Sequence, residues 1–172
     1  GEYNPTISNS WNDGVGIIEF HNAGLVLEEL HYDYIYHEHL FYFTLRTISG
    51  LLKRYGLNVY DLIYSPISGG SWVVYFSKNN ITKSKKLIEQ EKQEEKKALN
   101  SYSHWKEFSD KVMTHSRELK NEVFTNIGKI PAYGASARSS TLLNFSGINS
   151  ENISVVIDKN PLKAGLITAG SN

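Results

Sequence analysis

The chain has 172 residues, a length that suits one domain or a domain with an appendage. Its 18 basic and 18 acidic side chains cancel, which removes the broad positive field of a nucleic-acid binder, and the absence of cysteine excludes thiol catalysis, zinc–thiolate sites and disulfides within it. No apolar run approaches the roughly 20 residues of a membrane span and the first residues lack a secretory signal, so we predict a soluble cytoplasmic protein without a membrane partner.

Short apolar stretches in the first half of the chain predict three strands and one helix. The strands are predicted at 15–20, 57–64 and 71–76, and the helix at 45–55. Thr44 is a good N-cap for this helix, and Gly56 is an expected C-terminal stop. The first strand has no predicted partner before it and the last residues end abruptly, so we expect a chain truncated at both ends.

The stretch from Ile81 to about Val123 contains neither proline nor glycine and is rich in Lys, Glu and Gln, which predicts one long helix or two. Alternating charges over 89–97 indicate a solvated face with salt bridges rather than a binding tail. The apolar positions of this region are expected to pack on a sheet; they are Trp105, Phe108, Val112 and Leu119.

The last third predicts a strand–loop–helix–strand unit. The strands are 127–133 and 153–158, the small-residue turn is 134–140, and the helix is 141–145. A right-handed βαβ crossover places ligands at the carboxyl ends of the strands, and the expected fold class is α/β. NAD is disfavoured because GxGxxG is absent. Either the small residues allow close helix–strand packing, or backbone N–H groups, Ser136 and Arg138 hold a phosphate while Asp158 meets a sugar hydroxyl.

The segment Tyr32–Phe43 concentrates two histidines, a glutamate, an aspartate and four tyrosines. On a strand His37 and His39 would share one face, but HExxH is absent and we predict no metal site. A structural role, with packed tyrosines and capping histidines, is one alternative. General acid/base catalysis fits better, because Tyr36, Glu38 and His39 could supply an oxyanion donor, an orienting acid and a base.

Four motifs occur in an order that resembles the S-adenosylmethionine-dependent sugar C-methyltransferases. They are DYIYHEHLFYFTL at 33–45, PISGGS at 66–71, YGASAR at 133–138 followed by TLLN at 141–144, and DKNPLKAG at 158–165. Enzymes of this family methylate a carbon of a nucleotide-linked keto-deoxysugar. The resemblance covers roughly residues 15–170.

The resemblance implies a domain organisation and its cofactors. Residues 1–43 would be the tail of a methyltransferase domain with the catalytic segment. Residues 44–172 would be a Rossmann-like nucleotide-sugar-binding domain, with a mostly parallel sheet flanked by helices. A zinc-binding module and most of the methyltransferase domain would precede this chain. S-adenosylmethionine would bind mainly to that preceding domain, so we expect this chain alone to be inactive and not to bind the cofactor.

The resemblance also implies roles for individual residues. His39 would be the base, with Tyr36 as enolate donor and Glu38 as orienting acid. The nucleotide-sugar ligands would be Gly134, Ser136, Arg138, Thr141, Asn144 and Asp158. The chain departs from the family pattern at Ser68, Trp72 and 138–140, which leaves the nucleotide and sugar open. The alternative function is a sugar-nucleotide-binding module without catalysis.

Overall fold

A computed structural model describes residues 14–126, 128 and 130–170 of the chain. Helices and strands share the chain, which confirms the α/β class. The structure forms two compact units, one of residues 14–25 and Phe41–Ser101, the other of Val26–Leu40 and residues 102–170. In the described part of the chain, every helix is too short or too polar to span a membrane. The domain boundary at 43/44 stays a prediction.

The first unit is built on a three-stranded antiparallel sheet in the order β1-β3-β2. Its elements are β1 (Val15–His21), α2 (Leu45–Lys53), β2 (Asn58–Ser65), β3 (Ser71–Ser77) and α3 (Lys85–Lys96), and α1 (Ala23–Glu28) follows β1. All three predicted strands are present, shifted by one residue at most ends. Their inward side chains meet those of α2 and α3 in one apolar core, formed by Leu45, Val59, Leu62, Trp72, Val74 and Leu87.

The prediction of a mostly parallel sheet is not confirmed, because this larger sheet is antiparallel. The turn between β2 and β3 has five residues, whereas a parallel connection needs a dozen or more. Gly70 in this turn has φ +123°. A Cβ atom there would lie 2.8 Å from the Tyr64 hydroxyl and collide with Leu25, so the turn requires glycine.

The predicted N-cap of α2 is confirmed. The side chain of Thr44 accepts a hydrogen bond from the N–H of Thr47, and the Thr47 side chain reciprocates in a capping box. The long polar stretch forms two helices, α3 and α4 (Tyr102–Thr125). Between them Ala98 adopts a left-handed conformation with φ +50°, which ends the first helix without a glycine.

The second unit contains α4 and the predicted βαβ element. The element consists of β4 (Ile130–Tyr133), α5 (Ala137–Ser146) and β5 (Ile153–Ile157), with β4 and β5 parallel. Helix α5 begins four residues before the predicted start at 141, because Ser136 caps it through the N–H of Ser139. Helix α4 buries Phe108 and Val112 and packs against α5. Of the two sheets in the described residues, this smaller one has the predicted parallel order.

Candidate active site

The histidine-rich segment folds as a tight turn, which we call the YHEH turn (Tyr36–His39). It follows a 3₁₀ turn at Tyr32–Tyr34. The N–H of His39 donates to the carbonyl of Tyr36 at 3.0 Å, and the N–H of Tyr36 donates to the carbonyl of Tyr34 at 3.0 Å. The segment is therefore not a strand, and the turn itself brings its side chains together.

The three predicted catalytic side chains lie side by side in this turn. The Tyr36 hydroxyl donates to Glu38 Oε2 at 3.2 Å, and the ring centroids of Tyr36 and His39 are 4.9 Å apart. Tyr36 and His39 are half-buried, whereas Glu38 is exposed. The Glu38 carboxylate accepts its hydrogen bond from Tyr36, and its role in orienting His39 stays a prediction.

The electrostatics of the turn keep the Tyr36 hydroxyl protonated. Burial raises the pKa of Tyr36, and the neighbouring Glu38 carboxylate raises this pKa further, while the charge of Arg138 opposes them. A phenol with a raised pKa remains a hydrogen-bond donor at neutral pH. Tyr36 can therefore donate to an oxyanion that forms beside it.

Two tyrosines of the preceding 3₁₀ turn anchor the YHEH turn. Tyr32 and Tyr34 are 5% and 3% exposed. Tyr32 shares a hydrogen bond with His115 Nδ1 at 3.0 Å, and burial raises the pKa of Tyr32. The ring of Tyr34 lies against His39, with centroids 5.8 Å apart. Both tyrosines pack inside the second unit, and Tyr34 also borders the predicted base.

Two N–H groups of the loop between β4 and α5 donate hydrogen bonds to acceptors of the protein itself. Gly134 has φ +97°, a conformation that favours glycine. Its N–H donates to the carbonyl of Ile157 at 2.7 Å, and the N–H of Ala135 donates to Asp158 Oδ2 at 2.8 Å. These contacts close the loop onto the end of β5.

Asp158 is a structural acceptor at the end of β5. Besides Ala135, it accepts from the N–H of Asn160 at 2.9 Å and from Lys163 Nζ at 3.0 Å. These hydrogen bonds, the one from Asn160 foremost, lower the pKa of Asp158 to about 2. Sequence reasoning assigned no role to Lys163. The signal was the Asn-Pro turn after Asp158, which returns the chain so that Lys163 meets the carboxylate.

A cleft of about 810 Å³ adjoins this loop. Its lining includes Ser136, Asp158 and Lys163 together with aliphatic side chains of α5, β5 and residues 166–167. The other predicted ligands lie elsewhere. Thr141 Oγ1 donates to the carbonyl of Ala137 at 3.0 Å. Asn144 Nδ2 donates to the carbonyls of Ser140 and Ala169 at 2.7 and 2.9 Å.

Arg138 is turned toward the YHEH turn. Its Nε and Nη2 atoms lie 2.7 and 2.6 Å from Asp33 Oδ2, and its Nη1 donates to the Tyr34 hydroxyl at 2.8 Å. The predicted phosphate ligand is therefore already paired with a carboxylate. Its assignment as a nucleotide-sugar ligand stays a prediction.

The cleft beside α5 does not fit the cofactor that the resemblance implies. S-adenosylmethionine has two positive groups, a sulfonium and an ammonium, and one negative carboxylate. Its net positive charge favours a site with an acidic side chain that is not already paired. The acid of the cleft, Asp158, is neutralised by Lys163 and backbone N–H groups. Within residues 14–126 and 130–170 there is also no cluster of acidic or histidine side chains that could hold a metal ion. The predicted zinc concerns a preceding module and stays a prediction.

Comparisons with known proteins agree with the resemblance. The chain is similar to the C-methyltransferase NovU of Streptomyces niveus, with 29% identity over 164 residues. The similarity covers 92% of this chain and 39% of NovU, so the chain spans about two fifths of that relative's length. The family model for the C-methyltransferase C-terminal domain matches residues 66–172, which is more than half of the chain. The protein therefore belongs to the C-methyltransferase C-terminal domain family.

Proposed function

We propose that this chain is the C-terminal part of a C-methyltransferase that acts on a nucleotide-linked keto-deoxysugar. The YHEH turn carries the proposal, because it holds a base, a phenol and a carboxylate together. The rings of Tyr36 and His39 are 4.9 Å apart, and the Tyr36 hydroxyl is 3.2 Å from Glu38. Family membership and the similarity to NovU support the reaction class.

The proposed reaction begins with proton removal beside the ketone. The carbonyl group acidifies the neighbouring C–H bond, and the imidazole of His39 takes its proton while the bonding electrons move into an enolate. The Tyr36 hydroxyl turns from Glu38 to the enolate oxygen and donates a hydrogen bond to it. General acid/base help of this kind contributes on the order of 10²- to 10⁴-fold in rate.

The enolate carbon then needs an electrophilic methyl group, which S-adenosylmethionine supplies when bound. We assign that cofactor to a part of the full-length protein outside this chain. The charge of the cleft supports this assignment, because Asp158 is already compensated by Lys163.

We propose that the substrate diphosphate binds at the first turn of α5. The capping box of Ser136 and Ser139 satisfies two N–H groups, which leaves those of Ala137 and Arg138 without an intrahelical acceptor. A helix N-terminus favours an anion, and Ser136 at this terminus lines the adjoining cleft. In this proposal Gly134 and Asp158 shape the loop, while Thr141 and Asn144 remain predicted contacts further along α5.

A non-catalytic sugar-nucleotide-binding module is the second candidate function. The cleft beside α5 favours this candidate, because the cleft is not lined by residues of the YHEH turn. A binding module would keep nucleotide affinity but would not need His39.

The decisive experiment measures proton removal in the full-length protein without a methyl donor. The protein is incubated in D₂O with dTDP-4-keto-6-deoxyglucose as a representative keto-deoxysugar, and deuterium incorporation next to the ketone is followed by NMR. We expect exchange with the native protein and a loss of at least about 10²-fold with His39→Ala.

His37→Ala is the matched control, since it removes an exposed imidazole two positions away. We expect its exchange rate to stay close to that of the native protein. Equal exchange rates for His39→Ala and the native protein would contradict the assignment of the base. Nucleotide binding without exchange by the native protein, over a panel of keto sugars, would favour the binding module.

A further inference from the structure

The imidazole of His39 lies against two tyrosine rings. Its centroid is 4.9 Å from that of Tyr36 and 5.8 Å from that of Tyr34. Tyr36 is in the same turn, whereas Tyr34 belongs to the preceding 3₁₀ turn and is 3% exposed. The location of the Tyr34 ring therefore limits where the imidazole can lie.

Arg138 holds Tyr34 and its neighbour Asp33 from the first turn of α5. Two guanidinium nitrogens lie 2.6 and 2.7 Å from Asp33 Oδ2, and the third donates to the Tyr34 hydroxyl at 2.8 Å. The guanidinium carbon also lies 3.8 Å from the centroid of the Tyr34 ring. Charge-assisted hydrogen bonds and stacking on an aromatic ring are the two interactions for which a guanidinium is suited.

These contacts use every nitrogen of the guanidinium group. The Asp33 carboxylate neutralises its charge, and the Asp33 side chain is 21% exposed. Three of the five N–H donors of Arg138 are used in these contacts, so a phosphate would have to share the guanidinium with this carboxylate. The Arg138 side chain is therefore better placed to hold protein groups than to hold a ligand.

We propose that Arg138 is a positioning residue for the base: through Asp33 and Tyr34 it sets the place of the His39 imidazole. This inference rests on the proposed function, in which His39 removes the substrate proton. It divides the roles of Arg138, whose backbone N–H faces the diphosphate while its side chain supports the YHEH turn. Substrate binding at α5 and placement of the base then depend on one residue.

The kinetic test compares Arg138→Gln and Asp33→Asn in the full-length protein with the representative substrate. A positioning role predicts that kcat falls by about tenfold or more in each variant, because each breaks the same charge-assisted contact. The KM for the nucleotide sugar should stay within about twofold, since neither side chain binds the substrate. The double variant should be no worse than the single ones.

Arg117→Gln is the matched control. Arg117 is an exposed arginine of α4, and its side chain donates hydrogen bonds to Met113 and Thr114 of its own helix. Its kcat and KM should equal those of the native protein. A large rise in KM for Arg138→Gln, with native values for Asp33→Asn, would overturn the proposal and make the Arg138 side chain a phosphate ligand.

Hydrogen exchange tests the same support without any enzymatic activity. In the full-length protein, the N–H groups of Tyr36 and His39 are both hydrogen-bonded within the segment that Arg138 holds. Peptides covering residues 32–40 should exchange about tenfold faster in Arg138→Gln and Asp33→Asn, and at the native rate in Arg117→Gln. Circular dichroism verifies that each variant is folded.

The two readouts separate the two proposals. If amide hydrogen exchange of residues 32–40 is unchanged in Arg138→Gln and Asp33→Asn, the positioning role is overturned, whatever the enzymatic activity of the variants. A native protein that never incorporates deuterium into any keto sugar overturns the proposed function, while faster exchange in the same variants still supports the contact between Arg138 and the YHEH turn.

Discussion

Glu94 is a buried acid on α3, and its carboxylate caps the N-terminus of α2. Its two oxygens accept from the N–H of Leu45 at 3.0 and 2.9 Å, and Oε2 accepts from the N–H of Arg46 at 3.4 Å. The side chain thus satisfies N–H groups that lack intrahelical acceptors. Burial raises the pKa of Glu94 above its ordinary value of 4.5, although the two N–H groups act to lower it.

Two substitutions of Glu94 separate the cap from the charge. Glu94→Ala leaves the buried N–H of Leu45 without an acceptor, so the free energy of unfolding should fall by about 1–3 kcal/mol at neutral pH. Glu94→Gln keeps one acceptor oxygen and removes the charge. Urea unfolding between pH 4 and 7 measures the free energy of unfolding of both variants. Glu95→Gln, at an exposed position, is the control.

The raised pKa of Glu94 determines whether its contribution to the stability of the fold rises or falls with pH. A carboxyl group with a folded-state pKa above its unfolded value stabilises the fold most below the unfolded pKa. This contribution is lost as the pH rises from about 4.5 through the folded pKa. The native chain should therefore lose stability relative to Glu94→Gln as the pH rises through this range. A difference that is constant between pH 4 and 7 would contradict the raised pKa.

Among the elements, the first turn of α5 has two roles. It contains the hydrogen bonds of the Ser136 cap, which stabilise the helix, and it is the proposed diphosphate site. Ser136→Asp and Ser136→Asn form a matched pair, since both residues are good N-caps but only aspartate adds a negative charge. Both variants should keep the native stability to within about 1 kcal/mol. Only Ser136→Asp should weaken binding of a nucleoside diphosphate, by at least about tenfold.

Calorimetric titration of the two variants measures this difference, with thermal unfolding as the check on stability. Equal affinities for Ser136→Asp and Ser136→Asn would place the diphosphate away from the first turn of α5. A matched loss of both affinity and stability would show that the substitution acts on the helix rather than on the ligand.

The elements also show how far sequence patterns reach. Thr44 as the N-cap of α2 and the βαβ order of β4, α5 and β5 follow from local signals, and both are confirmed. The predicted start of α5 is four residues late, because the pattern over 134–140 indicated a small-residue turn, whereas Ser136 and Ser139 form a capping box there. The sequence pattern does not distinguish one long helix from two over α3 and α4, and the structure has two.

For the whole molecule, we predict which ligands bind to this chain. Calorimetric titration of this chain with dTDP, UDP, GDP and CDP, alone and linked to a deoxysugar, should find one nucleotide that binds. S-adenosylmethionine should not bind, because Asp158 is compensated by Lys163. Saturable binding of S-adenosylmethionine to this chain would contradict the assignment of that cofactor to another part of the full-length protein.

The sequence by itself determined what depends on neighbours along the chain. Tyr36, Glu38 and His39 lie within four positions, so any tight turn brings them together, and the motifs around them were enough to identify the family. Local signals likewise determined the α/β class. Helix caps and strand patterns involve residues a few positions apart, so their physics is contained in a short window of sequence.

Only the tertiary structure decided the contacts between distant positions. Arg138 meets Asp33 across 105 positions, and Lys163 meets Ala135 across 28. The loop before α5 and the family resemblance predicted that Arg138 holds a phosphate, whereas the fold pairs its guanidinium with a carboxylate. The pairing of β1 with β3 has the same origin, because strand patterns indicate which residues form strands but not which strands lie side by side.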